Sequence, residues 1–239
     1  MNTLPLLLVP GLMCDHTVWD PLLPQLSSLR SCTVVDHGAA NSLSQMAVQL
    51  LQDAPTRFFI AGHSMGARVA LEVLRIAPER VAGVGLLDTG YLPKLSGAAG
   101  DEEVRKRMAL LHIAQDQGVR AMAREWVQGM VHPDRLNELE LIERILVMFE
   151  RKDATLFANQ LHALIHRPDA SDVLTSLRVP TLILCGRQDF WSPPSQHEAM
   201  HQLTPHATLA VIEEAGHMAP MERPEAVVAE MLRWLDTKN

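Results

Sequence analysis

A serine, an aspartate and a histidine stand in this chain where nucleophilic chemistry would need them. Ser64 lies in Gly62-His63-Ser64-Met65-Gly66, between the apolar run Phe58-Phe59-Ile60-Ala61 and a helical pattern opening Ala67-Arg68-Val69-Ala70-Leu71. Glycine two positions either side of the serine lets the backbone cross sharply from strand to helix, which exposes the hydroxyl at the carboxyl end of the strand. The Met65 amide is then free at a helix N-terminus to donate to developing negative charge. A serine that merely capped a helix would need neither the glycines nor His63.

A hydroxyl is a weak nucleophile near neutral pH and needs a base, itself oriented by a third group. Both follow downstream, each just after a strand candidate: Asp189 in Cys185-Gly186-Arg187-Gln188-Asp189, and His217 in Ala215-Gly216-His217-Met218. The interval between them leaves room for one helix and one strand, so both loops are expected at the sheet edge that carries Ser64. Asp88, in Leu86-Leu87-Asp88-Thr89, competes with Asp189 as the acid. A strand-end aspartate more often caps its own loop, and Asp189 is preferred. Upstream, Val9-Pro10-Gly11-Leu12 follows the first apolar run, and the Leu12 amide can share the oxyanion position with Met65. A plain strand-exit turn is the alternative there.

The elements that must position these residues read as a parallel sheet with covering helices. Short apolar runs at 4–9, 32–36, 58–61, 84–87, 181–185 and 208–212 are strand candidates, the first too continuously apolar to be half-exposed. Helical patterns fall at 43–52, 65–76, 194–203 and 224–235, the last opening with Pro224. The stretch 91–177 holds no strand pattern. It carries helix-like segments near 101–117, 119–130, 134–150 and 154–166, with 95–100 as a flexible lead-in. The expected organisation is a core of residues 1–90 and 178–239 with an all-helical insertion at 91–177.

Composition narrows the function classes. At 239 residues with 47 % apolar side chains, the chain can bury a sizeable core. A net charge of −7 and the lack of a basic cluster argue against nucleic acid as a partner. Cys14, Cys32 and Cys185 are odd in number and scattered, which fits a reducing compartment and offers no paired-thiol metal site. The run 4–13 lacks a basic lead and is broken by Pro5, Pro10 and Gly11, so no signal peptide is expected. No stretch approaches the ~20 apolar residues of a membrane helix. A cytoplasmic protein acting on a small molecule, away from membranes, is the expectation; oligomeric state leaves no trace in the sequence.

The order Ser64, Asp189, His217, together with the Gly-Leu turn after the first strand, resembles the α/β-hydrolase fold family over nearly the whole chain. Trp19, eight residues after Gly11, Val179-Pro180-Thr181-Leu182 before the acid, and Gly216-His217-Met218-Ala219-Pro220 around the histidine agree with it. Pro10 stands where many relatives have histidine, and Ala67 replaces a common second glycine. The chain opens almost directly on the first central strand, so no N-terminal antiparallel hairpin is expected and the sheet should have about six parallel strands.

The resemblance implies that 91–177 is a cap over the pocket. It also implies acyl transfer to water through an acyl-enzyme on Ser64, with His217 as base, Asp189 as orienting acid, and the Leu12 and Met65 amides as oxyanion hole. No cofactor or metal is required. A small carboxylic ester or lactone is the first choice of substrate. Carbon–carbon bond hydrolysis, thioester hydrolysis and perhydrolysis are alternatives on the same triad, and a hydrolase-like ligand-binding module with little turnover is the alternative of another class. Trp191, just after the acid, and Trp126 in the cap are the substrate-pocket candidates. Apolar cap residues at helical spacing, including Met108, Met122, Met130, Met148, Phe149 and Phe157, are expected chiefly to pack the interior.

Overall fold

The computed structural model describes residues 4–236. In chain order the elements run β1 (Leu6–Val9), α1 (Leu23–Leu29), β2 (Cys32–Val34), α2 (Leu43–Asp53), β3 (Phe58–His63), α3 (Met65–Ile76) and β4 (Val81–Leu87). A wholly helical segment follows: α4 (Ala98–Gln117), α5 (Val119–Val127), α6 (Leu139–Glu150), α7 (Ala154–Ile165) and α8 (Ser171–Ser176). The chain then returns through β5 (Thr181–Gly186), α9 (Pro194–Leu203), β6 (Thr208–Ile212), α10 (Ala219–Glu222) and α11 (Pro224–Leu235).

The strands form one six-stranded sheet in the order β2-β1-β3-β4-β5-β6, every neighbouring pair parallel. β1, β3, β4 and β5 are buried along their whole length, which is why they read as unbroken apolar runs rather than alternating ones. Parallel pairing sends every strand exit to the same edge. The register aligns Val9 with Gly62, His63 with Leu87 and Gly186 with Ile212, so the turns after β1, β3, β5 and β6 open side by side. The chain order reverses direction around β1, and such a switch point leaves a crevice at the carboxyl ends of the strands.

Helix starts follow local chemistry. Ser42 caps α2 by accepting from the Gln45 amide at 3.2 Å, and Asp153 caps α7 by accepting from Leu156 at 2.7 Å. α9 and α11 open on prolines, whose missing N–H costs nothing in a first turn. α2 packs on α3 and α1 on α11, covering both faces of the sheet. On the α11 side Trp234 meets Phe59 edge-on at 5.6 Å. Trp19 is fully buried.

Several elements differ from the sequence reading. α1, α8 and α10 are absent from it, each being a short helix of two turns or fewer. α4 starts at Ala98, inside the stretch expected to be flexible, with Gly97 at φ 69° as its lead-in. α6 starts at Leu139, because His132 accepts from the Asp134 amide at 3.2 Å and residues Pro133–Asn137 close into a 3-10 turn. Among the described residues no helix is long and apolar enough to cross a membrane.

Candidate active site

Ser64 is the residue between β3 and α3, at φ 54° and ψ −117°, a conformation side chains with a Cβ rarely adopt. The sharp crossing explains both glycines of the motif. A Cβ on Gly66 would run into the Val9 and Pro10 carbonyls, and one on Gly62 into the backbone of Gly66 and Ala67. Ser64 occupies the N-cap position of α3, yet its hydroxyl caps nothing. It is directed instead at His217, whose Nε2 accepts from Ser64 Oγ at 2.8 Å.

The other face of the imidazole is equally defined. His217 Nδ1 donates to Asp189 Oδ2 at 2.8 Å, so Nδ1 carries the proton and Nε2 is left to accept. Asp189 is held in turn, its Oδ1 accepting from the Trp191 and Ser192 amides at 2.9 Å each. Burial pushes its carboxyl up, but the charge and hydrogen bond of His217, then these amides, outweigh burial and hold it below the ordinary carboxylate value. The three predicted residues therefore form one continuous chain of hydrogen bonds across the ends of β3, β5 and β6.

Asp88, the competing acid, is fully buried at the end of β4 but does not reach His217. Its Oδ1 accepts from the Gly186 amide at 2.9 Å, and its Oδ2 has no hydrogen-bond partner, the nearest cation-forming group being His63 Nε2 at 3.8 Å. Burial, then the nearby Asp189 charge, raise its carboxyl well above the ordinary value. It anchors the β5 exit as a loop-capping group would.

Leu12 and Met65 both line the cavity that Ser64 borders. Neither amide is spent on a protein acceptor among the described residues. Met65 opens α3, where no intrahelical acceptor reaches the first amides. Leu12 lies in a turn whose next residue, Met13, has φ 61° and donates its amide to Gln160 Oε1 of α7 at 2.8 Å. The cavity is about 610 Å³. Trp126 and Trp191 both line it, stacked on each other at 5.3 Å, with Trp191 4.9 Å from the His217 ring. Met122, Met148, Phe149 and Phe157 of the helical segment are buried core. Arg187 pairs with Glu213 at 2.7 Å on the surface, where an ion pair contributes little.

Three positioning groups escaped the sequence reading. Glu222 is buried within the histidine turn, where Oε1 accepts from the Gly216 and Met218 amides at 2.9 and 3.1 Å. Its Oε2 accepts from the His132 amide at 2.7 Å, tying the same carboxylate to the helical segment. Gln160 holds the Leu12 turn as described. His63 donates from Nε2 to the His217 carbonyl at 2.7 Å. His63 sits inside the serine motif and Glu222 two residues beyond the histidine motif, but their partners are backbone atoms, which leave no sequence signal.

The parallel sheet and the Ser–His–Asp relay at its carboxyl edge define a hydrolase of the α/β class. Residues 6–230 match the alpha/beta hydrolase family, and the chain belongs to it. A pimeloyl-[acyl-carrier protein] methyl ester esterase of Aliivibrio salmonicida is 22 % identical over 245 residues, covering 98 % of this chain and 93 % of that protein. A thermophilic esterase from Thermogutta terrifontis superimposes with a TM-score of 0.84 at 28 % identity, covering 98 % of this chain and 90 % of the other. The enol-lactonase of Burkholderia xenovorans LB400 shares the fold at a TM-score of 0.85 and 21 % identity, over 98 % and 92 % of the two chains.

Proposed function

We propose that the protein hydrolyses a small carboxylic ester or lactone through an acyl-enzyme on Ser64. The observation that carries this reading is the unbroken relay from Ser64 Oγ through His217 to Asp189, both links 2.8 Å long. His217 Nε2 takes the hydroxyl proton as Ser64 Oγ bonds to the ester carbon. Asp189 balances the imidazolium, and the Leu12 and Met65 amides receive the negative charge on the carbonyl oxygen; each such donor is worth about 10²–10³ in turnover. The proton passes from Nε2 to the leaving alkoxide, the C–O bond breaks and the alcohol departs. Water then loses a proton to His217, attacks the acyl carbon and releases the acid, restoring the Ser64 hydroxyl.

Residues 91–177 act in this reading as a cap that closes the pocket over the triad. Three contacts support that role: His217 donates its amide to the Met130 carbonyl at 2.8 Å, Gln160 holds the Leu12 turn, and Trp126 stacks on Trp191. The esterase and lactonase names of the similar proteins favour an ester-type acyl group over the other bonds this triad can cleave.

Fluorophosphonate labelling followed by intact mass and peptide mapping tests the reading. One adduct on Ser64, missing in Ser64→Ala, together with turnover of p-nitrophenyl esters, is the expected result. An adduct at another residue, or no adduct and no turnover of the smallest esters, overturns it.

A further inference from the structure

The cavity around Ser64 has a cationic region that the hydrolytic steps do not use. Arg68 leaves α3 one turn after Ser64, about 6 Å along the helix axis. Its Nη1 donates to the Leu92 carbonyl at 3.1 Å, and Arg167 Nε donates to the same oxygen at 3.2 Å. Two guanidiniums thus converge on one carbonyl. Arg167 also forks onto Glu103 at 2.6 and 2.9 Å, and Arg107 Nε reaches that carboxylate at 3.0 Å. Lys106, well exposed at the rim and 3.6 Å from Glu102 outside the cavity lining, lines the same cavity.

The charges do not balance. Arg68, Lys106, Arg107 and Arg167 line the cavity with Glu103 as the one acidic side chain there among the described residues, in a chain whose net charge is −7. Burial opposes ionisation of Glu103, but the Arg167 hydrogen bond and the charges of both arginines hold it down at about 2, so its charge is already committed. No carboxylate pairs with Arg68 among the described residues. Burial first, then the charges of Arg167 and Arg107, bring its guanidinium down to about 9. A network that served only to fasten helices would gain by matching its charges; this one carries an excess of cations beside the nucleophile. Leu110, Leu161 and Leu164 line the same cavity and suit a methylene chain.

We propose that this cluster is an anion subsite, and that the ester cleaved at Ser64 carries a carboxylate at the end remote from the scissile bond, seated on Arg68 within the ring of Arg107, Arg167 and Lys106. The proposal rests on the hydrolytic reading of the same cavity and specifies its substrate class. The geometry favours half-esters of dicarboxylic acids, or lactones bearing a carboxylate, over neutral esters of equal length.

Monomethyl adipate and methyl hexanoate differ chiefly in a terminal carboxylate against a terminal methyl, and their kcat/KM ratio reads the subsite. The wild type is expected to prefer the half-ester, with a KM that rises as sodium chloride is added. In Arg68→Met the ratio falls by about 10- to 100-fold, the factor of one or two charge-assisted hydrogen bonds, and Arg68→Lys restores part of it. Lys106→Glu, on the exposed rim where folding is not at stake, lowers the ratio in the same direction. A wild-type ratio at or below one, or a ratio that neither substitution moves, overturns the proposal. Thermal-shift titration with adipate itself separates it from the hydrolytic reading. If no ester turns over yet adipate stabilises the wild type and not Arg68→Met, the subsite stands and the hydrolytic reading falls. If Ser64 labels and esters turn over without preference, the subsite falls alone.

Discussion

His63 and His217 are joined by a hydrogen bond from the His63 Nε2 to the His217 carbonyl, 2.7 Å long and buried. His63 is the last residue of β3 and immediately precedes Ser64, so one strand end fixes both the serine and the main chain of its partner. The His63 Nδ1 has no partner, and burial, followed by the charge of His217, pushes its pKa down to about 3. His63 is therefore neutral, a donor to a carbonyl and a positioning residue. Replacing it with phenylalanine keeps the ring and removes the donor. His63→Phe is expected to lower kcat by about 10- to 100-fold with little change in KM, because small displacements of a catalytic group are costly. Steady-state kinetics on p-nitrophenyl acetate check it; an unchanged kcat would show that the bond does not position His217.

Asp88 and Asp189 make opposite predictions. Asp189 alone touches the imidazole, and Asp189→Asn should cost about 10³–10⁴ in kcat, since an amide cannot hold the required tautomer and charge. Asp88 sits at φ 48°, a region asparagine tolerates, and asparagine keeps the acceptor for Gly186. Asp88→Asn should leave kcat within about 10-fold, under 1.4 kcal/mol of barrier. The sign of its stability effect follows from linkage. A carboxyl whose folded pKa is raised holds its proton longer in the native state, so stability drains away as pH rises through that window. Asp88→Asn removes that loss and should raise the urea midpoint at pH 7. Kinetics and urea melts of the two variants, side by side, decide both points.

The chemistry was more legible in the sequence than the supports. Ser64, Asp189 and His217 announce themselves because each needs a particular side chain at a particular strand exit, and the apolar runs locate those exits. β4 starts at Val81 and not at Val84, the start the sequence suggests because Gly83 looks like a break. It is instead a site of close approach: a Cβ on Gly83 would lie 2.6 Å from the Phe59 ring. Short helices such as α10 lack the length for a periodic signal. Glu222 could not be read at all, since its partners are three backbone amides brought together by tertiary structure, one of them from the helical segment. The cationic cluster of Arg68, Arg107 and Arg167 was equally hidden. Its members come from α3, α4 and the turn after α7, and nothing in their spacing foretells that they share one cavity.

His197 makes the fold sensitive to acid. Its Nε2 accepts from the Thr89 amide at 3.0 Å while its Nδ1 donates to the Pro193 carbonyl at 3.2 Å, so the ring is fixed in one neutral tautomer and a second proton would face an N–H. Burial lowers its pKa from 6.5 to about 4. Between those values the unfolded chain holds a proton the native state lacks. Stability is therefore complete above about pH 6.5 and declines as pH falls, by up to about 1.4 kcal/mol per pH unit from this group. His197→Gln keeps an acceptor for Thr89 and cannot titrate. The drop in unfolding free energy between pH 7 and pH 5 should be smaller in the variant, as measured by urea unfolding at both values. Equal drops would mean that the buried imidazole is not the acid-sensitive group.

Ser64 ties function to strain. A residue with a Cβ held at φ 54° and ψ −117° costs about 1–3 kcal/mol and persists only where the surroundings enforce it, as the packing of Gly62 and Gly66 against neighbouring backbone does here. Alanine and glycine both delete the hydroxyl and its bond to His217, so both abolish turnover. Only glycine relieves the backbone, against its own entropy loss of about 0.5–1 kcal/mol on folding. Ser64→Gly should therefore be more stable than Ser64→Ala by about 1 kcal/mol, visible as a higher urea midpoint at unchanged slope. If alanine is the more stable of the two, the turn is relaxed as it stands, and the exposure of the Ser64 hydroxyl costs the fold nothing.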